Sequence, residues 1–178
     1  MATYDTTSLV LCLTGPESSG KSTLARQLAD ALSAPLVPEV ARGYLEGRVT
    51  YEREDLLAIA ELQVAAEHQA LAKGERVVVA DTDLVVISIW WQEKFGELHP
   101  FIARALEQRS RRCYLLTLPD LPWQPDPLRE SEHDRERLLS EHRSILESAS
   151  FPYASVGGQG EVRLLTALDE ARRWLFED

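Results

Sequence analysis

The sequence predicts an α/β protein: a five-stranded parallel sheet with helices on both faces. Three observations predict it. Short apolar runs alternate with stretches of helical spacing along the whole chain. The strongest runs are continuously apolar, as strands buried on both faces should be. Between the first strand and the first helix lies Gly15-Pro16-Glu17-Ser18-Ser19-Gly20-Lys21-Ser22, which has the spacing G-x-x-x-x-G-K-[ST].

The elements follow in order. Leu9 to Thr14 is an apolar strand, and Leu24, Leu28 and Leu32 recur at helical spacing after the loop. Pro35-Leu36-Val37-Pro38 is a short second strand ending at Glu39, and a helical stretch with Arg42 and Tyr44 begins beyond it. Arg53 to Lys73 is a long amphipathic helix with Gln63 on or beside its inward stripe and Gly74 as its stop. Arg76 to Asp81 is a buried strand ending in a carboxylate, and Asp83 caps a helix that runs through Trp90 and Trp91 toward Gly96. A helix at about Phe101 to Arg109 leads into the strand Cys113 to Leu118. The segment 119–127, with Pro119, Pro122, Pro125 and Pro127, is a shaped loop. A charged helix from about Glu132 to Glu147, the strand Tyr153 to Val156, a Gly157-Gly158 turn and a helix from about Val162 to Phe176 complete the chain.

The loop's composition points to phosphate. Its glycines let successive N–H groups converge on an anion, and the helix behind it adds unpaired N–H groups and a positive dipole end. Gly15, Glu17, Ser18, Ser19, Gly20, Lys21, Ser22 and Thr23 are therefore the candidate nucleotide-binding residues. Lys21 is placed to reach β- and γ-phosphates and the Ser22 hydroxyl to ligate Mg²⁺. ATP and Mg²⁺ are the expected cofactors. Asp81, at a strand end, is expected to bind Mg²⁺ through water or to accept a proton from the attacking hydroxyl. Glu39 ends another strand and can hold or deprotonate a substrate hydroxyl. Arg42 either orients Glu39 or contacts substrate. Arg129 follows the rigid 123–127 turn, in a stretch that reads as a mobile lid at about 123–150. Trp123 can stack on a flat ring, and more strongly on a cationic one.

Composition narrows the classes. At 178 residues the chain reads as one domain over 1–178, leaving no room for a second full catalytic domain beside the nucleotide site. A net charge of −10 argues against broad nucleic-acid binding and favours small-molecule partners. No apolar run reaches the roughly 20 residues that span a bilayer, and Met1 to Asp5 lacks a signal-peptide start, so a soluble, cytoplasmic protein is expected. Cys12 and Cys113 sit in apolar strands and are expected reduced. His68, His99, His133 and His142 show no metal-ligand spacing and are expected to be solvated or structural. Monomer and homo-oligomer are both open.

Gly15 to Leu24, Val-Pro-Glu-Val-Ala-Arg at 37–42, Asp-Thr-Asp at 81–83, Phe-Gly at 95–96 and Pro-Asp-Leu-Pro-Trp-Gln-Pro-Asp-Pro-Leu-Arg at 119–129 together resemble the ribosylnicotinamide kinase domain of NadR-type proteins. The likeness runs from about Leu9 to Arg173. It implies a P-loop kinase fold with a helical lid, and ATP-dependent phosphorylation of the 5′-hydroxyl of nicotinamide riboside to nicotinamide mononucleotide in NAD synthesis. It also implies that Trp123 faces the nicotinamide ring, that Glu39, Asp81 and Asp126 handle ribose hydroxyls or metal, and that Arg129 helps bind phosphate. The sequence departs from the family at Leu84-Val85-Val86-Ile87, where threonines are usual, and at Pro127, where glycine is usual. It carries neither DNA-binding helices ahead of the loop nor a His-x-Gly-His signature, so the expected product is the mononucleotide. The alternatives are a kinase of another nucleoside or small metabolite, and a nucleotide-switched regulatory protein; the latter as a GTPase would carry an Asn-Lys-x-Asp motif, which is absent.

Overall fold

In the chain, a computed structural model describing residues 8–107, 111–126, 129 and 131–176, strands alternate with helices as the apolar runs predict. The first half contains β1 (Leu9–Thr14), α1 (Lys21–Leu32), β2 (Leu36–Val37), α2 (Val40–Tyr44) and α3 (Arg53–Leu71). The second half contains β3 (Val77–Asp81), α4 (Leu84–Phe95), α5 (Pro100–Glu107), β4 (Arg112–Thr117), α6 (Arg135–Ser148), β5 (Tyr153–Val156) and α7 (Gly160–Phe176). The strands pair in parallel in the order β2-β3-β1-β4-β5. β1 is central, so the loop that leaves its carboxyl end emerges between β3 and β4, where open α/β sheets place ligands.

Alternate residues of β1 face opposite layers. Leu9, Leu11 and Leu13 pack with Leu24 and Leu28 of α1 and Ala167, Leu168 and Ala171 of α7. Val10 and Cys12 pack with Val85 and Ile89 of α4 and Leu138, Leu139 and Leu146 of α6. Each such leucine contributes roughly 2 kcal/mol by leaving water. A third cluster joins α2, α3, α4 and α5 around Ile59, Trp91 and Ile102 beside the sheet. Cys12 and Cys113 lie on neighbouring strands but on opposite faces, with Cys113 level with Leu11.

Boundaries shift where local hydrogen bonding differs from the pattern. Residues 132–134 form a turn, closed by Asp134 N–H donating to the Ser131 carbonyl, so the charged helix begins at Arg135. Its inward residues Leu138, Leu139, His142 and Leu146 are buried, which makes α6 part of the core layer on one side and solvated on the other. α3 ends at Leu71, before Gly74, whose φ of 72° turns the chain toward β3. The expected end at Arg109 of the helix before β4, the amino-terminal stretch Met1 to Asp5, and Pro127 lie outside the described residues.

Candidate functional site

β1 delivers the chain to Gly15, and the loop 15–20 then turns back over the sheet into α1. Gly15 has φ 135°, and a Cβ there would sit 2.6 Å from the carbonyl oxygen and Oγ1 of Thr117 at the end of β4. Only glycine lets the loop pass that close. Gly20 caps α1 with φ 82°, and a Cβ there would meet Leu121 at 2.8 Å. Ser19 is buried under the loop, with Oγ 2.7 Å from the Pro16 carbonyl and 2.6 Å from Thr117 Oγ1. Lys21 Nζ donates to the Gly15 and Pro16 carbonyls at 2.8 Å each. Burial holds the Lys21 ammonium below the usual lysine range, while Glu39, Asp81 and Glu17 favour its charged form.

Asp81 ends β3 beside the loop and is 6% exposed. Burial pushes its carboxyl above the usual range; a hydrogen bond with Ser22 works against this, Glu39 adds to the rise, and Lys21 and Arg26 oppose it. Asp81 Oδ1 is buried without a hydrogen-bond partner. A buried carboxylate oxygen left unspent costs stability, so its retention points to a ligand that uses it. Two residues on, Asp83 is fully engaged: it accepts from Val85 N–H at 2.8 Å, from Arg112 Nη1 at 2.9 Å and from Tyr114 Oη at 2.7 Å. Arg112 also pairs with Glu67 of α3.

Glu39 occupies the position just ahead of α2 without a side-chain hydrogen bond to the helix, and is held at the site by its neighbours. Gln63 of α3 accepts from Val40 N–H at 2.9 Å and donates to the Pro38 carbonyl at 3.3 Å, fixing the turn on both sides of Glu39. Arg42 Nε lies 3.5 Å from Glu39 Oε2, and its Nη1 donates to Asp126 Oδ2 at 2.8 Å. The hydrogen bond to Asp126 raises the Arg42 pKa further.

The chain after β4 crosses over the loop and is pinned to it. Ser18 Oγ accepts from Gln124 N–H at 2.9 Å, and Glu17 Oε2 accepts from Ser131 N–H at 2.9 Å. Arg129 Nη1 donates to the Gln124 carbonyl at 2.6 Å. Between the loop, this crossing segment, α2, α4 and α6 lies a cavity of about 580 Å³, a size that suits a small organic ligand. Its walls include Lys21, Ser22, Glu39, Arg42, Val86, Ile89, Trp90, Arg129, Leu138 and His142.

A family model described as AAA domain matches residues 10–163. The chain belongs to this family. The AAA domain is 25% identical over 177 residues to the trifunctional NAD biosynthesis/regulator protein NadR of Escherichia coli (strain K12), covering 94% of this chain and 43% of that protein. A crystal structure of NadR protein in complex with NR matches with a TM-score of 0.83 at 23% identity, covering 97% of this chain and 53% of that one. A crystal structure of NadR protein in complex with NAD and AMP-PNP matches with a TM-score of 0.80 at 22% identity, covering 97% and 51%. The chain thus spans about half the length, or less, of the NadR proteins it matches. The resemblance to NadR-type P-loop kinase domains read from the sequence holds for family and fold.

Within the AAA domain the sequence candidates fall into three groups. The loop residues Gly15 to Thr23, with Glu39, Arg42 and Arg129, line one cavity, and Asp81 lies buried beside Ser22. Asp126 is brought in through Arg42 and is not among the described residues lining the cavity. Trp123 is not among them either: it is half-buried, with the Arg135 guanidinium 5.9 Å from its ring centroid. The crossing segment's ties to Glu17 and Ser18 set this outcome, because they bring Pro122 and Gln124 to the cavity.

Sequence reasoning passed over the α4 and α6 walls. The departure at 84–87 resolves into core and wall: Leu84, Val85 and Ile87 are buried, and Val86 lines the cavity. Trp90 lines it with its indole N–H donated to Tyr51 Oη at 2.7 Å. His142 is buried in the cavity wall, with Nδ1 2.9 Å from Thr14 Oγ1, a structural tie between α6 and the root of the loop. Burial, aided by Lys21, lowers its pKa to about 3, with Asp83 opposing. Its signal was the Leu138-His142-Leu146 spacing, which puts the ring on an apolar stripe.

Proposed function

We propose that the chain transfers the γ-phosphoryl group of ATP to the 5′-hydroxyl of nicotinamide riboside, giving nicotinamide mononucleotide. The observation that carries this reading is the buried, unspent Oδ1 of Asp81, set beside Ser22 and Lys21 under a loop built for phosphate. Solved NadR structures of the same fold hold NR in one case and AMP-PNP in another, which supports pairing this loop with a nucleoside acceptor.

Lys21 would exchange the Gly15 and Pro16 carbonyls for phosphate oxygens, bringing positive charge to the transferring group. Arg129 adds a second cation to the cavity lining. Asp81 or Glu39 takes the proton of the acceptor hydroxyl; the raised pKa of Asp81 suits a base, and Arg42, 3.5 Å from Glu39, orients that carboxylate. Ser22 and Asp81 fit Mg²⁺, a hard cation that takes oxygen ligands from one or two protein groups and the rest from phosphate and water. Mg²⁺ would supply charge neutralisation between the β- and γ-phosphates. Gln124 and Ser131, tied to Ser18 and Glu17 over the loop, mark the part that would exclude water.

Phosphorylation of another nucleoside is the second reading, favoured by the position of Trp123 against Arg135. Recognition of the acceptor's ring then falls to Trp90, Val86 and Ile89. Coupled ADP formation across a panel of nucleosides with ATP and Mg²⁺ separates the two. Nicotinamide riboside should give the highest kcat/KM, with the monophosphate as product. A higher value for another nucleoside selects the second reading, and ADP release that no acceptor stimulates rejects both.

A further inference from the structure

Arg163, on α7 and far along the chain from the phosphate loop, is 5% exposed and spends its guanidinium on three separate segments. Its Nη2 donates to the Ser19 carbonyl at 2.6 Å and the Leu118 carbonyl at 3.0 Å. Its Nη1 donates to Asp120 Oδ1 and to the Gly158 carbonyl, both at 2.7 Å. Asp120 in turn accepts from Gly158 N–H at 2.6 Å. One side chain thereby joins the phosphate loop, the start of the crossing segment and the β5–α7 turn. Because its fork has donors in fixed directions, it sets the relative position of all three.

The contact with Ser19 has a direct consequence for the loop. In a trans peptide the carbonyl of one residue and the N–H of the next point in opposite directions. Drawing the Ser19 carbonyl toward Arg163 therefore turns the Gly20 N–H away from it. The other side of Ser19 is fixed by its hydroxyl, held between the Pro16 carbonyl and Thr117 Oγ1. Loop amides bind phosphate only when their N–H groups converge. We infer that Arg163 is a positioning residue for nucleotide binding, which orients the Ser19–Gly20 peptide so that the loop presents its amides to phosphate. This rests on loop 15–22 being the nucleotide site and is independent of which hydroxyl accepts the phosphoryl group.

The test is calorimetric titration of the full chain with ATP and with ADP in the presence of Mg²⁺, alongside thermal melts without nucleotide. Arg163→Lys keeps the charge but cannot span four acceptors, and it should raise Kd for ATP and ADP alike by about 10-fold. Leu168→Ala, a buried core position on the same helix, should lower Tm while leaving both Kd values within about 2-fold of the wild type. Should Arg163→Lys fail to fold, Asp120→Asn weakens one arm of the network at a more exposed site and should raise Kd by about 3-fold. An Arg163→Lys or Asp120→Asn variant that loses Tm yet binds ATP as the wild type does overturns the inference, because the arginine is then only a brace. A wild-type chain that binds no ATP overturns it together with the reading of the loop. One that binds ATP but phosphorylates no nucleoside overturns only the proposed reaction.

Discussion

Asp81 and Asp83 stand two residues apart at the same strand end, both buried, and their surroundings differ in one respect. Every oxygen of Asp83 is spent, on the α4 cap, on Arg112 and on Tyr114, whereas Asp81 keeps Oδ1 unpaired in a buried setting. The residue between them, Thr82, has φ 72°, a backbone turn that sends the two carboxyls into different environments. The difference teaches how to separate a structural carboxylate from a working one. Saturation ties an element in place; an unspent oxygen beside a phosphate loop is held ready for a ligand.

The comparison can be broken from either side. On the Asp81 side the largest effect is expected from Lys21→Ala, which should abolish nucleotide turnover while circular dichroism stays that of the wild type. The lysine's partners are loop carbonyls rather than core groups. Turnover near the wild-type rate would remove the loop from the chemistry.

On the Asp83 side, Asp83→Ala deletes a helix cap and half of a buried ion pair. It should cost about 3 kcal/mol and lower Tm by roughly 6–12 °C. A drop confined to a degree or two would mean that Glu67 alone satisfies Arg112.

His142 sharpens the comparison through pH, since its ring bonds Thr14 at the root of the loop. Its folded pKa is depressed from 6.5 to about 3, so the stability it contributes is complete above 6.5. As pH falls toward 3 the unfolded chain takes a proton that the folded one refuses, and that stability is lost. Urea melts between these limits should show His142→Gln losing fewer kcal/mol than the wild type on acidification. Parallel slopes would place the ring in contact with solvent.

The smallest effect belongs to the exposed end of α4. Arg137 Nη1 reaches Glu93 at 2.9 Å, but both side chains are more than two-fifths exposed. Arg137→Ala should therefore change stability by less than about 1 kcal/mol, an effect that should shrink in high salt. A change as large as that of Asp83→Ala would show that burial is not what distinguishes the two pairs.

Much of this was legible in the sequence, for reasons that are local. The loop, the carboxylate at the end of β3 and the cap at Asp83 are each specified by a few adjacent residues, and the parallel order follows from the alternation of elements. Arg163, His142 and Arg112 were not legible, because each bonds a partner far along the chain, 144, 128 and 29 positions away. An arginine or histidine on an apolar stripe announces that it has a partner without naming it. Trp123 shows the same limit. Its proline-rich setting suggested a rigid platform, while the path of that segment is set by Glu17 and Ser18 more than a hundred residues earlier.

The most direct measurement is acceptor-dependent ADP formation by Asp81→Asn, taken together with its melting curve. Because the pKa of Asp81 is raised in the folded state, the ionised carboxylate contributes no stability there. The stability linked to Asp81 comes from its protonated form, is fully present below 3.8 and is lost as pH rises through the raised value. The variant should therefore melt at or slightly above the wild-type Tm at neutral pH while kcat falls by at least ~10²-fold, with a smaller change in nucleotide affinity. A variant that keeps most of its kcat, or that unfolds as Asp83→Ala is expected to, would contradict the account.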